Sequence, residues 1–447
     1  MDAQTIAENN TRTFIHYRVF FRARYYYPVF TLLFLDFGLS LSQFAILNSI
    51  WALTIVLFEI PLGGLADTIG RRKIVITSAI LLNLELLVWL FAPINGGDTL
   101  FYFFLVNRII SGLCEAASSG ADEALAYDAL EKAQLKDKWA EVLEKTQRYT
   151  SLYFMFVLLV GASVYDPSIM NSIYSFFGGT DLLTQSDTLK FPILLNQLAA
   201  IYVLFNAFKF KENWEPKQSI RQSIRSSGIK IIQSINWIKK TVIVISLLLI
   251  LTFSESLILQ FLTLMQQYWK VIDIPIFYYG IIGSILALFA SMIPSLGKFI
   301  HARFSLKTNF TICYLCIVAA YSFIAFSIPL YGIMPVVLLY CAYQLVIYLN
   351  SVYLNTHCLE ENRATVLSIQ SMLSFSKYGV VSMLYSFLVT AISNKQIYPN
   401  LDQTFKISLV AFPIYFIATT AGIYFLARNF YKRRISKHNQ AAEQVIS

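Results

Sequence analysis

Gly63-Gly64-Leu65-Ala66-Asp67-Thr68-Ile69-Gly70-Arg71-Arg72-Lys73 is a short polar hinge between two long apolar runs. Its glycines permit a tight turn and close helix approach, and Asp67 can neutralise a helix N-terminus or pair with a basic neighbour. Such a contact can latch one conformation. The runs on either side, near 43–66 and 73–92, each supply the ~20 apolar residues that a bilayer-spanning helix needs. Working outward, the same alternation of apolar run and polar break recurs along the whole chain. It places spans near 18–39, 43–66, 73–92, 99–121, 147–166, 189–208, 241–266, 275–298, 305–328, 332–356, 365–391 and 404–428. These runs are longer than the roughly ten residues of a membrane strand and lack period-2 alternation, so an all-α membrane protein is expected.

Composition agrees. The 447 residues are 57% hydrophobic and only 14% charged, too apolar for a soluble chain of this size, so the lipid bilayer is the expected surrounding. The net charge of +9 sits in loops rather than on a polar domain, which argues against nucleic acid as a partner. Lysine and arginine are crowded into alternate loops: Arg71, Arg72 and Lys73; Lys132, Lys136, Lys138, Lys145 and Arg148; the stretch from Lys209 to Lys240; Lys298, Arg303 and Lys307; and Arg428 to Lys437. The opposite segments hold only Lys190, Lys270, Lys395 and Lys406. Positively charged loops stay in the cytoplasm, so a multi-pass protein of the cytoplasmic (inner) membrane with both termini inside is expected. Residues 1–13 are polar and show no signal-peptide pattern, in keeping with that orientation.

The longest basic break divides the chain into 1–208, a cytoplasmic linker 209–240, and 241–447, with six spans in each half. Within the linker, Ile224, Ile229, Ile232 and Ile235 lie among basic residues, a pattern that fits either an amphipathic helix on an anionic leaflet or a solvated linker helix. Cys313 and Cys316 have the spacing of a redox or zinc pair, but without a second pair they read as small core residues. The four histidines are far apart and show neither metal-ligand nor nucleophile–base spacing, and no phosphate-binding glycine loop occurs. No enzyme activity, metal or cofactor is expected.

The Gly63-to-Lys73 hinge resembles the signature loop between helices 2 and 3 of the major facilitator superfamily, with Thr68 standing where a basic residue is frequent. Asn107-Arg108-Ile109-Ile110-Ser111-Gly112 resembles the family's second signature, an arginine followed four residues later by glycine in helix 4. The run Asp122-Glu123-Ala124-Leu125-Ala126-Tyr127-Asp128 is also similar to bacterial members. In the second half, Gly297 to Arg303 is only a degraded echo of the hinge, and of the drug/proton antiporter signature expected near 153–165 only Gly161 is present. The resemblance covers the chain by topology and a few short stretches by motif. It implies twelve transmembrane helices in two pseudo-symmetric halves that rock around a midplane cavity lined by helices 1, 4, 7 and 10. It also implies a cytoplasmic gate built from Gly64, Asp67, Gly70, Arg71 and Asp128.

An ionisable side chain in the bilayer costs several kcal/mol unless it meets a cavity or a partner, so each one is a functional candidate. At about 1.5 Å per residue, these groups sort into two depths. Arg22, Arg24, Glu59 and Glu115 form a candidate ion-pair layer near the inner side, with Arg18 close enough to the interface to snorkel. Arg108, Glu85, Glu255 and Lys377 fall near the midplane beside Tyr343 and Gln344. The expected substrate contacts are Arg108, Glu255, Tyr343, Gln344, Lys377 and Arg24, with Glu85 ranked lower because helix 3 is usually peripheral in this superfamily. Glu115 and Glu255 are the candidate proton-coupling groups. The excess of arginine and lysine points to a small anionic or carboxylate-bearing solute carried by a secondary active transporter coupled to protons or another ion, and working as a monomer. Export of amphipathic drugs is the main alternative, and a non-transporting receptor or scaffold the second.

Overall fold

The computed structural model describes residues 2–180, 182–212, 222, 228–229, 232–233, 235–239, 241–357, 360–394, 400–423 and 425. Most of the expected linker 209–240, its Ile224, and the basic run from Arg428 to Lys437 therefore lie outside the described residues. The side chain of Asp67 does too, although its backbone is helical.

Among the described residues, eleven helices are long and apolar enough to cross a membrane. They correspond to the expected spans from the second onward. The first expected span, near 18–39, departs from the expectation of one continuous helix. Helix α1 (Ala3–Arg22), capped by the Asp2 side chain on the Thr5 amide, starts earlier than hydropathy indicates and leaves helical geometry at Ala23, which is extended. A 3-10 turn, Tyr27–Val29, carries Pro28, and α2 (Phe30–Asp36) then resumes the path. Proline lacks the amide a continuous helix would use, which fixes the break in this stretch. Asp36, at the end of α2, accepts a hydrogen bond from the Tyr165 hydroxyl at 2.6 Å.

Helix α3 (Leu41–Ile69) begins in a capping box of Ser40 and Gln43 and ends at Gly70, whose φ of +102° also opens α4 (Arg71–Phe91). An L side chain rarely adopts that backbone geometry, so the hinge needs glycine at this point. Helix α5 (Gly97–Ser118) continues as α6 (Ala121–Lys132) after a turn at Gly120. Helix α7 (Trp139–Tyr165), the short α8 (Pro167–Phe176) and α9 (Gln185–Thr188), and α10 (Phe191–Lys209) complete the first half.

The second half opens with α11 (Val242–Thr263), which breaks at Leu264 and resumes as α12 (Met265–Val271). It continues through α13 (Phe277–Arg303), α14 (Leu306–Ala325), α15 (Ile333–His357), α16 (Glu360–Ser393) and α17 (Leu401–Leu409), the last inside a span reaching Ile423. The breaks at α1/α2 and α11/α12 occupy corresponding places, at the start of each half.

Large apolar side chains such as Leu57, Phe91, Phe205, Met292, Phe323 and Ile414 face outward, as lipid-facing surfaces do. Inside, Phe34, Phe37, Phe44, Trp89 and Phe104 pack as a buried aromatic cluster, with Phe34 and Phe104 centroids 4.7 Å apart. Lipid gives no hydrophobic drive between helices, so such close packing and interhelical hydrogen bonds must hold the bundle. The halves meet where α3 packs on α16, α7 and the Tyr27–Val29 turn on α13, and α2 on α12. On α7, Gly161 lies so close to the Tyr25 carbonyl that a Cβ would sit 1.9 Å from its oxygen, so only glycine lets α7 close on the α1/α2 break.

Candidate functional site

Between the halves lies a cavity of about 510 Å³. Its first-half wall comes from the α1/α2 break (Arg24, Tyr26, Tyr27, Pro28, Phe30), α3 (Asn48, Trp51), α4 (Glu85), α5 (Arg108, Ser111, Cys114, Glu115) and α7 (Phe154, Leu158). Its second-half wall comes from α11 and α12 (Leu259, Leu262, Thr263, Met265, Gln266, Trp269), α13 (Tyr279, Gly283, Leu286), α15 (Tyr340) and α16 (Tyr378). Every charged lining residue belongs to the first half.

Arg108 is 4% exposed and rests on an aromatic floor, its guanidinium carbon 5.1 to 5.5 Å from the ring centres of Phe34, Trp89 and Phe30. Cation–π contact of this kind stabilises a guanidinium without neutralising it. Its Nε and one terminal nitrogen donate to the Asn107 side-chain oxygen at 3.0 and 2.8 Å, and Asn107 in turn donates to the Glu85 carbonyl at 2.7 Å. Arg24, 6% exposed and lying just past the end of α1, stacks near Phe21. Glu85, 3% exposed, accepts a long 3.5 Å hydrogen bond from the Tyr26 hydroxyl. Among the described residues none of Arg24, Arg108 and Glu85 has an ion-pair partner within 4 Å, although all three line one chamber.

A graded series of ion pairs leads from this chamber toward the hinge end of the bundle. Arg22 pairs with Glu115 at 2.9 Å, both half-exposed at 39% and 32% of their side chains. One turn further out, Arg18 pairs with Asp122 at 2.7 Å and Glu123 at 3.2 Å, so it is engaged rather than snorkelling. The four-member inner layer is not assembled as expected. Arg24 lies past the helix end and turns into the cavity, while among the described residues Glu59 has no ion pair and keeps one buried carboxylate oxygen without a hydrogen-bond partner.

The second-half candidates lie elsewhere. Glu255 accepts the Ser374 hydroxyl at 2.5 Å. The Lys377 ammonium donates to the Thr252 hydroxyl and lies 4.0 Å from the Phe253 ring centre. Tyr343 is buried and Gln344 half-buried on α15. None of these four lines the cavity; their neighbours Tyr340 and Tyr378 do. Sequence reasoning missed Tyr26, Asn48, Trp51, Gln266, Trp269 and Tyr279. The proline at Pro28 was the available signal, since interrupted spans at matching positions of two halves mark transporter sites.

At the hinge, Arg71 forms an ion pair with Asp128 across the α4 and α6 ends. Glu212, unsuspected from sequence, accepts the backbone amides of Arg71 and Arg72 at 3.1 and 2.9 Å, placing a carboxylate on the positive end of α4. Arg72 donates to the carbonyls of Phe210 and Phe208 at 2.7 and 3.1 Å, and Asn10 exchanges two bonds with the Lys211 backbone.

Bonds between the halves gather at the opposite end. Thr31 donates to Gln266 at 3.1 Å, and Gln266 donates to the Tyr27 carbonyl at 3.2 Å, joining the two helix breaks. Ser42 meets Ser386 at 2.7 Å and Thr390 at 2.8 Å, Ser49 donates to the Gly379 carbonyl at 2.8 Å, and the Phe277 amide donates to Asp166 at 3.2 Å.

A family model described as Major Facilitator Superfamily matches residues 19–381. Comparison with curated proteins returns no match. Among solved structures, the chain superposes on the nucleoside transporter NupG with a TM-score of 0.66 at 12% identity, over 97% of this chain and 100% of that one. A bacterial homolog of the human lysosomal transporter Spinster, in an inward-facing and unoccupied conformation, gives 0.65 at 16% identity, over 96% and 97%. A D-xylose–proton symporter gives 0.55 at 12%, over 93% and 96%. At these identities the likeness speaks for the fold. With the family match spanning most of the chain and eleven membrane-length helices around a central cavity, the chain belongs to the Major Facilitator Superfamily and is a multi-pass membrane transporter rather than an enzyme.

Proposed function

We propose that the protein is a secondary active transporter that carries a small anionic or carboxylate-bearing solute across the cytoplasmic membrane by alternating access, coupled to protons. The observation that carries this reading is the pair of buried guanidiniums, Arg108 and Arg24, which face one cavity without an ion-pair partner among the described residues. A buried charge is costly unless it is met, and a solute anion supplies the missing charge through charge-assisted hydrogen bonds.

The basic loops belong in the cytoplasm under the positive-inside rule. The inter-half bonds at the end away from the hinge then seal the outer side, and the half-exposed Arg22–Glu115 pair marks the inner mouth. The Arg71–Asp128 pair, with Gly64, Asp67 and Gly70, acts as the cytoplasmic gate. Coupling falls to a membrane-embedded carboxylate: Glu115 through its bond to Arg22, Glu255 through Ser374, or Glu85 within the chamber. The cluster of Glu255, Tyr343, Gln344 and Lys377 reaches solute only after the halves rearrange. The working unit is a monomer.

The aromatic lining, including Trp51, Phe154 and Trp269, favours a second reading, export of amphipathic cations met by Glu85. Purified protein in proteoliposomes under an inward proton gradient separates the two. Gradient-driven organic anion uptake that is lost in Arg108→Ala supports the first reading. Lipophilic-cation flux with anions ignored replaces it with the second.

A further inference from the structure

The two walls of the cavity differ in kind, and the difference narrows the solute beyond the word anion. This step rests on the anion-transport reading above. The first-half wall presents Arg24 and Arg108 with Glu85 between the same helices, while Glu115 is already met by Arg22. Two guanidiniums against one free carboxylate leave a single positive charge for the solute to satisfy. A dianion would leave a negative charge unmet in a chamber where its nearest groups are 3 to 6% exposed, and a neutral solute would leave a guanidinium unmet.

The second-half wall offers no charge at all. It presents Leu259, Leu262, Met265, Trp269, Leu286 and Tyr340 to the same cavity. Of its polar groups, Gln266 is bonded to Thr31 and Tyr27 at the outer seal, and the Tyr378 hydroxyl donates to Thr263. A small hydrophilic anion such as glycolate would leave this surface facing water, whereas an apolar ring would cover it. The volume of about 510 Å³ leaves room for a body well beyond two or three carbons.

We infer that the transported solute is an organic monoanion with an apolar, ring-bearing body, its charged group held by Arg24 and Arg108 of the first half and its ring against the Leu262–Trp269 face of the second. Charge recognition and shape recognition are thereby divided between the two moving parts. A bound solute bridges them and exchanges contacts as the halves rock.

The test uses full-length protein, with binding followed by tryptophan fluorescence in detergent and flux in proteoliposomes. Benzenesulfonate and methanesulfonate form the first probe pair, because both stay ionised and leak slowly through lipid; 3-phenylpropionate and glycolate form the second. Tetraphenylphosphonium serves as the lipophilic cation. The ring-bearing member of each pair is expected to bind at least tenfold more tightly. Leu262→Asn and Trp269→Ala are expected to erase that preference while changing binding of the small member less than threefold. Equal handling of ring-bearing and small anions by the wild type overturns the inference and leaves the anion-transport reading standing. Transport of tetraphenylphosphonium with no anion bound at millimolar concentration overturns both. The wild-type comparison needs no variant to fold, so a poorly folded Trp269→Ala protein does not protect the proposal.

Discussion

In the first half of the molecule the membrane-embedded charges converge on the cavity, and in the second half they turn away from it. Arg24, Glu85 and Arg108 share one chamber, whereas Glu255 and Lys377 are bonded to Ser374 and Thr252 of their own half and do not line it. Both halves are built from the same kind of helices, and both start with a broken span. A repeated fold therefore does not repeat its chemistry: one half carries the electrostatics, and the other supplies an uncharged face for it to work against.

The sharpest way to break that comparison is to remove a charge from each side. Arg108→Ala is expected to lower organic-anion flux by ~100-fold or more, since charge-assisted hydrogen bonds contribute about 1.5–3 kcal/mol each. Arg108→Lys should recover part of the flux, as it keeps the charge without the planar fork. Lys377→Met should change anion affinity less than about threefold, the scale of a weakly coupled charge. An equal loss in the two variants, measured in proteoliposomes with monodispersity as the folding control, would erase the asymmetry.

Glu85 sharpens the comparison further. As a carboxylate it competes with the solute for Arg24 and Arg108, and as a carboxylic acid it does not. Wild-type anion affinity is therefore expected to rise as pH falls, while Glu85→Gln holds the high affinity throughout, roughly tenfold above wild type at neutral pH for one lost charge-assisted contact. Calorimetric titration from pH 5 to 9 checks both the sign and the flattening. If Glu255→Gln flattens the profile instead, the second half carries the proton.

The seals at the two ends should give smaller effects. Gln266→Leu removes the bonds that join the two helix breaks, and at about 0.5–1.5 kcal/mol per bond it should shift the conformational population several-fold toward outward opening. Arg71→Ala breaks a half-exposed ion pair worth up to about 1 kcal/mol, so a shift of about fivefold or less is expected. Spin-label distances between the halves report both.

Hydropathy alone located the eleven membrane-length helices found among the described residues, because a bilayer demands long apolar runs and tolerates few substitutes. Depth along a helix was equally legible, and Arg22 and Glu115, assigned to one level, do meet. Facing was not. Helix α11 carries a polar stripe of Thr252, Glu255, Ser256 and Gln260, but its spacing does not tell that this stripe meets Ser374, Lys377 and Ser382 of α16 rather than the cavity. Glu85 ranks below Arg108 by sequence because helix 3 is usually peripheral in the superfamily, and only packing against α5 brings it to the chamber. Helical rise puts Arg24 at the level of Arg22, yet the helix has ended before it, so the chain swings it inward. The hydropathy of residues 18–39 hid this break; Pro28 did not.

The carboxylate of Glu212 on the α4 N-terminus ties off the chain after α10, and Asn10 bonds to the residue before it. Helices α1 to α10 thus finish with their own knot and need nothing from the helices after them to close it. A polypeptide cut between residues 213 and 240, or made as two separate gene fragments, should still reassemble in the membrane, and Glu212→Ala should be the change that makes such reassembly fail.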